Sequence, residues 1–125
     1  MTDTAGPAGR LVADGQALTI RVCRGRRSAI VAVEGESDSA SAHRLGRELR
    51  ALCSQYTLVV VDCLGLRFLG STGLTVVLDA HLHAKARGNV LRLVVSTPAV
   101  LAVLRVSRMD RELAVFGTMN DALTT

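Results

Sequence analysis

The sequence predicts an α/β domain built on a mixed, mainly parallel sheet of about five strands, opened by an N-terminal β-hairpin and covered by helices. Two strand-like segments stand in tandem near the N-terminus, with only "GRR" between them. After "VEG", helical and strand-like periods alternate to the end of the chain. Helices that return the chain to a neighbouring strand make those strands parallel, so the hairpin supplies the one antiparallel edge.

The elements follow in order. Residues 1–13 are expected to form a flexible tail and residues 14–125 the domain, because the first ten positions are rich in Gly, Thr and Ala. In "ALTIRVCR", Leu18, Ile20 and Val22 point to one side and Thr19, Arg21 and Cys23 to the other, which is a half-buried strand. "SAIVAVEG" is a second, more continuously apolar strand, hairpin-linked to the first. The period then changes: Leu45, Leu49 and Leu52 recur as a helical stripe, preceded by the N-cap types Asp38, Ser39 and Ser41. "TLVVVDCL" is short, β-branched and apolar on both faces, as a strand buried on both sides must be. Leu74, Val77, Leu78, His81 and Leu82 form a second stripe, closed by Gly88 at a C′ position. "VLRLVV" is a fourth strand, and a third helix follows with Thr97 as N-cap and Pro98 in its first turn. "ELAVF" and "TMNDAL" make a last short strand and a last short helix.

Composition narrows the function classes. At 125 residues, with 49% hydrophobic and 21% charged residues, the chain is one globular domain with a core of Val, Leu and Ala. It has no apolar run of membrane-spanning length and no visible signal peptide, so no membrane association and a cytoplasmic location are expected. Cys23, Cys53 and Cys63 fit neither a zinc pattern nor a disulfide framework and read as reduced, mostly buried thiols. The net charge of +4 invites a nucleic-acid reading. The arginines are scattered along the chain, however, and with 2% aromatics there is almost nothing for bases to stack on, so no direct nucleic-acid partner is expected. In "DAHLH", His81 and His83 stand two apart on a helix and face different ways, so no metal site is expected.

One junction remains. "RFLGSTGL" (67–74) places Ser71 and Thr72 between Gly70 and Gly73 where a buried strand passes into a helix. "GSTG" is neither the G-x-S-x-G nucleophile elbow nor a phosphate loop, which would need a following Lys, and Ser71 has no identifiable histidine partner. No catalysis and no cofactor are therefore expected. Two readings stay open: a loop in which Gly70 or Ser71 caps the helix, or a site where a phosphate on Ser71 meets the free N–H groups of the helix N-terminus. Such a phosphate would add about −1.5 to −2 charges to the surface and repel a partner packed there.

These residues carry a family resemblance. "VEGESDSASAHRL", "LVVVDCLGLRFLGSTGL" and "FGTMNDAL", in that order and spacing, resemble the STAS domain of stand-alone bacterial anti-sigma factor antagonists over about residues 14–124. Gly35 and Asp38 match the family's pattern after the second strand, while Ser37 replaces its usual apolar residue. The resemblance implies the STAS fold and a chain that binds an anti-sigma factor, often a GHKL-type serine kinase, and so releases a sigma factor. It further implies phosphorylation on the first Ser of the D-S-[ST]-G-L signature, here Ser71 with Thr72 as neighbour, and reversal by a serine phosphatase. Asp38, Gly70, Ser71, Thr72 and Gly73 are the implied partner-binding residues. The signature's Asp is Gly70 here. Loss of that acid either lets a phosphate be tolerated better or costs recognition by a kinase that reads it, and the latter leaves a non-phosphorylated STAS interaction or ligand-sensing module as the alternative.

Overall fold

A computed structural model of the chain describes residues 9–14 and 18–125. One six-stranded sheet runs in the order β1-β2-β3-β4-β5-β6, so every strand lies beside its sequence neighbour. β2 (Leu18–Arg24) and β3 (Ser28–Ser37) form the expected antiparallel hairpin, with Ile20 opposite Val33 and Val22 opposite Val31. β3 is parallel to β4 (Leu58–Leu69), which is parallel to β5 (Val90–Val94), and β5 is parallel to β6 (Ala114–Phe116). The helices are α1 (Ser39–Gln55), α2 (Ser71–Ala86), α3 (Pro98–Val106), the one-turn α4 (Met109–Glu112) and α5 (Met119–Thr124).

Three elements depart from expectation, one of them the short α4, which lies where only a connection between the third helix and the last strand is expected. Residues 10–13, expected as tail, belong to a sixth strand, β1 (Arg10–Asp14), which pairs antiparallel with β2. Its pairing comes from the open edge of β2 rather than from any apolar pattern of its own. Positions 1–8 of the expected tail lie outside the described residues. β4 also runs past the expected "TLVVVDCL" and continues beside β3 as far as the pair Ser37↔Leu69, with register shifts on the way.

The crossover helices cover one face. Leu45, Leu49 and Leu52 of α1, Val77, Ala80 and Ala84 of α2, and Val100 and Leu104 of α3 meet Val31, Val33, Val59, Val61, Leu91 and Leu93 in one buried cluster. α5 covers the other face, where Ala122 packs on Val60 and Val94. Val59, Val60 and Val61 are therefore all buried, as the two-sided apolar run requires. The second helical stripe is realised one notch away from the bulky residues: α2 buries Gly73, Val77, Ala80 and Ala84, and leaves Leu82 exposed. α2 ends as expected, with Gly88 at φ +76° while the Gly88 and Asn89 N–H groups donate to Lys85 O and Ala84 O at 3.1 and 2.9 Å. Cys53 and Cys63 are buried, and burial pushes their thiols up to about 11 and about 12; Cys23, by contrast, is exposed. No helix among the described residues is long and apolar enough to cross a membrane.

Candidate functional site

Because β3 and β4 are parallel neighbours, the helices that follow them start side by side at the carboxyl edge of the sheet. Ser37 and Leu69 are the last paired residues, and the next residue of each chain segment, Asp38 or Gly70, is a helix N-cap. This edge is where open parallel sheets present their loops and helix N-termini.

Asp38 closes α1 with its own side chain. Its Oδ1 accepts from the Ser41 N–H at 2.8 Å and from the Ser41 hydroxyl at 2.7 Å, while Ser41 Oγ accepts from the Asp38 N–H at 3.0 Å. This is a capping box with Ser in place of the usual Glu or Gln. The backbone N–H of Ser41, then its hydroxyl, hold the Asp38 carboxyl below its ordinary value, and Arg44 adds to the effect. Asp38 is exposed, but its structural task is the cap.

α2 is left open. Gly70 is the N-cap at φ −80°, ψ 178°, and its carbonyl accepts the first helical N–H, that of Leu74, at 2.9 Å. No side chain caps the first turn, so the N–H groups of Ser71, Thr72 and Gly73 are left without helical or side-chain acceptors. Ser71 stands at the first helical position and is exposed; its carbonyl accepts from the Thr75 hydroxyl at 2.9 Å. Thr72 is half-buried. The Gly70 backbone suits any residue, and a Cβ there would meet Phe68 Cε2 at 3.4 Å and Ser37 O at 3.7 Å, so an Asp fits sterically.

Gly73 serves differently from its neighbours. It is buried, and a Cβ would lie 2.6 Å from Leu69 Cδ1 and 2.7 Å from Ser37 Oγ. Its part in the fold is to seat the first turn of α2 on the end of β3. Ser37, which stands where the family pattern has an apolar residue, is buried with a hydroxyl that has no hydrogen-bond partner among the described residues.

Beside Ser71 lies an apolar groove of about 490 Å³ between the start of α2 and the face of α3. Phe68 and Leu74 form one wall and Val103 and Val106 the other, with Ser71 at the rim. Phe68 is 52% exposed and Val106 85%, unusual for large apolar side chains on a small domain. The α3 wall is not among the residues the sequence singles out; the signal lies in "PAVLAVLRV", where apolar residues extend beyond the buried stripe of Val100 and Leu104 and only Arg105 is charged.

The histidines of "DAHLH" part company. His81 Nε2 meets Glu112 Oε2 at 3.1 Å, while His83 Nε2 accepts from Arg87 Nε at 3.1 Å and lies 2.8 Å from Ser54 Oγ. Among the described residues, no group of three or more His, Cys, Asp or Glu is placed to hold a metal ion.

Fold and site together define a STAS domain: a β-hairpin leading into a parallel βαβ sheet, with a Ser–Thr pair opening the second crossover helix. The family model described as "Mlab, STAS domain" matches residues 20–118, and the chain belongs to that family. No curated protein matches it in sequence. Among solved structures it is similar to an anti-sigma factor antagonist from Mycobacterium paratuberculosis, at 24% identity and TM-score 0.80, over 90% of this chain and 97% of that one. It is also similar to the anti-sigma factor antagonist SpoIIAA in its unphosphorylated form (19% identity, TM-score 0.72, 83% of this chain and 92% of that one). The Bacillus cell fate determinant SpoIIAA in its phosphorylated form aligns at 18% identity and TM-score 0.66, over 83% of this chain and 96% of that one.

Proposed function

We propose that this chain is an anti-sigma factor antagonist: it binds an anti-sigma factor, a GHKL-type serine kinase, and so releases a sigma factor until phosphorylation of Ser71 ends the complex. The observation that carries the reading is the position of Ser71. It is exposed, at the first position of a helix whose N-terminal N–H groups have no side-chain cap, and on the rim of an apolar groove. The names of the similar structures, one of them a phosphorylated form, support it.

The physical sequence is short. In the unmodified state the partner covers Phe68, Leu74, Val103 and Val106, with Gly70, Ser71 and Thr72 at the contact's edge. A phosphate on Ser71 is received by the open helix terminus, so the fold is retained. The same phosphate places about −1.5 to −2 charges beside apolar surface that the partner would have to desolvate, and the complex dissociates. A serine phosphatase restores binding. With Gly70 in place of an acid, the phosphate meets no carboxylate from the preceding residue.

The test is incubation with candidate anti-sigma kinases and ATP, followed by mass spectrometry and binding measurements. Phosphate appears on Ser71, Ser71→Ala keeps the complex, and Ser71→Asp weakens it by about tenfold or more. Tight binding by Ser71→Asp would sink the switch even if the partner is right. Gly70 favours a second reading, a STAS interaction or ligand-sensing module without phosphorylation; persistent absence of phosphate with every candidate kinase selects it.

A further inference from the structure

Three of the arginines that look scattered in the sequence, Arg47, Arg50 and Arg87, come together on one face of the fold. α1 and α2 run alongside each other and pack closely at Gly46, where a Cβ would lie 2.9 Å from Val76 Cβ. Outside that contact, His43, Arg47 and Arg50 of α1 line a shallow groove with Val76 and Asp79 of α2. Further along α2, His83 sits against Ser54 and Arg87, extending the same face. Arg87 donates from Nε to His83 Nε2, so that nitrogen is an acceptor and the imidazole is neutral. Burial, then the charges of Arg87 and Arg50, also hold His83 below its ordinary value. The charge of the face therefore comes from Arg47, Arg50 and Arg87, with Asp79 as the one acid lining it. The ion pairs among the described residues are Arg67–Glu36 and His81–Glu112, so none of these three guanidiniums has a carboxylate partner.

Unpaired arginines flanking an apolar floor call for carboxylates from outside. From His43 to Ser54 the face spans about 16 Å of helix, the length of about three turns of a partner helix. Nucleic acid fits it poorly. The chain's aromatic residues Tyr56, Phe68 and Phe116 do not line it, leaving no stacking platform. A partner helix instead sets acidic side chains over the arginines and apolar ones over Val76.

We infer that the α1–α2 groove is a docking surface for an acidic amphipathic helix of a partner protein, held by Arg47, Arg50 and Arg87. The surface is distinct from the Phe68–Val106 groove at the start of α2 and does not depend on the state of Ser71.

The experiment uses the full chain and a fluorescein-labelled amphipathic peptide of about 15 residues, with Glu at helical i, i+4 spacing and Leu on the opposite stripe. Anisotropy is read at about 25 mM salt, where surface charge is weakly screened. Saturable binding is expected, weakened about tenfold by Arg47→Glu/Arg50→Glu. Arg26→Glu/Arg27→Glu in the exposed β2–β3 turn makes the same charge change and should cost less than about twofold. Circular dichroism confirms that both variants fold, and Ser71→Asp should leave the peptide affinity unchanged. The inference is overturned if the peptide does not bind saturably, or if the turn variant costs as much as the groove variant. Tighter binding of a duplex DNA of similar length, lost in the groove variant, would make the face a nucleic-acid surface and overturn it too.

Discussion

The two helix starts at the carboxyl edge of the sheet share a geometry and differ in their finish. Each N-cap stands one residue after the pair Ser37↔Leu69, and each is in extended conformation. α1 is closed by Asp38 and Ser41, which satisfy each other's backbone N–H groups. α2 begins at Gly70 with no side-chain acceptor, and its third residue is a buried Gly73 where α1 has Ser41. The first helix spends its polar side chains on its own terminus. The second leaves its terminus free to receive an anion and keeps its place by packing instead.

That difference can be attacked from both sides. The largest expected effect is at Gly73: Gly73→Val drives side-chain atoms into Leu69 and Ser37 and should cost about 2–3 kcal/mol in urea unfolding. A neutral result would mean that α2 is not held by its seat on β3. Next comes Asp38→Asn. The carboxyl of Asp38 is held below its ordinary value, so its stabilising effect is complete above that value and is lost as pH falls through the lower, folded-state one. Acid unfolding of Asp38→Asn should lack that part of the pH dependence; an unchanged acid limb would show that the cap contributes nothing. The smallest effect belongs to Gly70→Asp, which gives α2 the cap that α1 already has. It should stabilise the domain by only a few tenths of a kcal/mol, about what separates Asp from Gly at an N-cap, with the melting temperature rising slightly.

Much of this architecture is legible in the chain's local patterns. Leu45, Leu49 and Leu52 mark the buried face of α1, Asp38 its cap, Gly88 the end of α2 and Thr97–Pro98 the start of α3, although Thr97 Oγ1 donates to Leu66 O rather than capping. The buried stripe of α2 differs from the expected one because side-chain size is a poor guide where elements pack closely. Close packing selects the small residues Gly73, Ala80 and Ala84, while Leu82 stays outside. β1 is not legible in the same way, because its pairing depends on the exposed edge of β2, which no local pattern in residues 10–14 announces.

The elements, most of their ends, the Ser71–Thr72 pair at a helix start and the missing acid at Gly70 are all written in the amino-acid order. Those features follow from hydrogen bonds and side-chain periods within a turn or two of chain, and such signals survive without a fold. Folding alone makes the two helix starts neighbours, turns Gly73 into a seat, and sets Phe68 and Val106 as walls of one groove beside Ser71. The same holds for Arg47 and Arg50, which come to share a face with Arg87 through the parallel pairing of strands that carries α1 and α2 alongside each other. Contacts across such separations are set by sheet register and helix packing, and no window of sequence contains them.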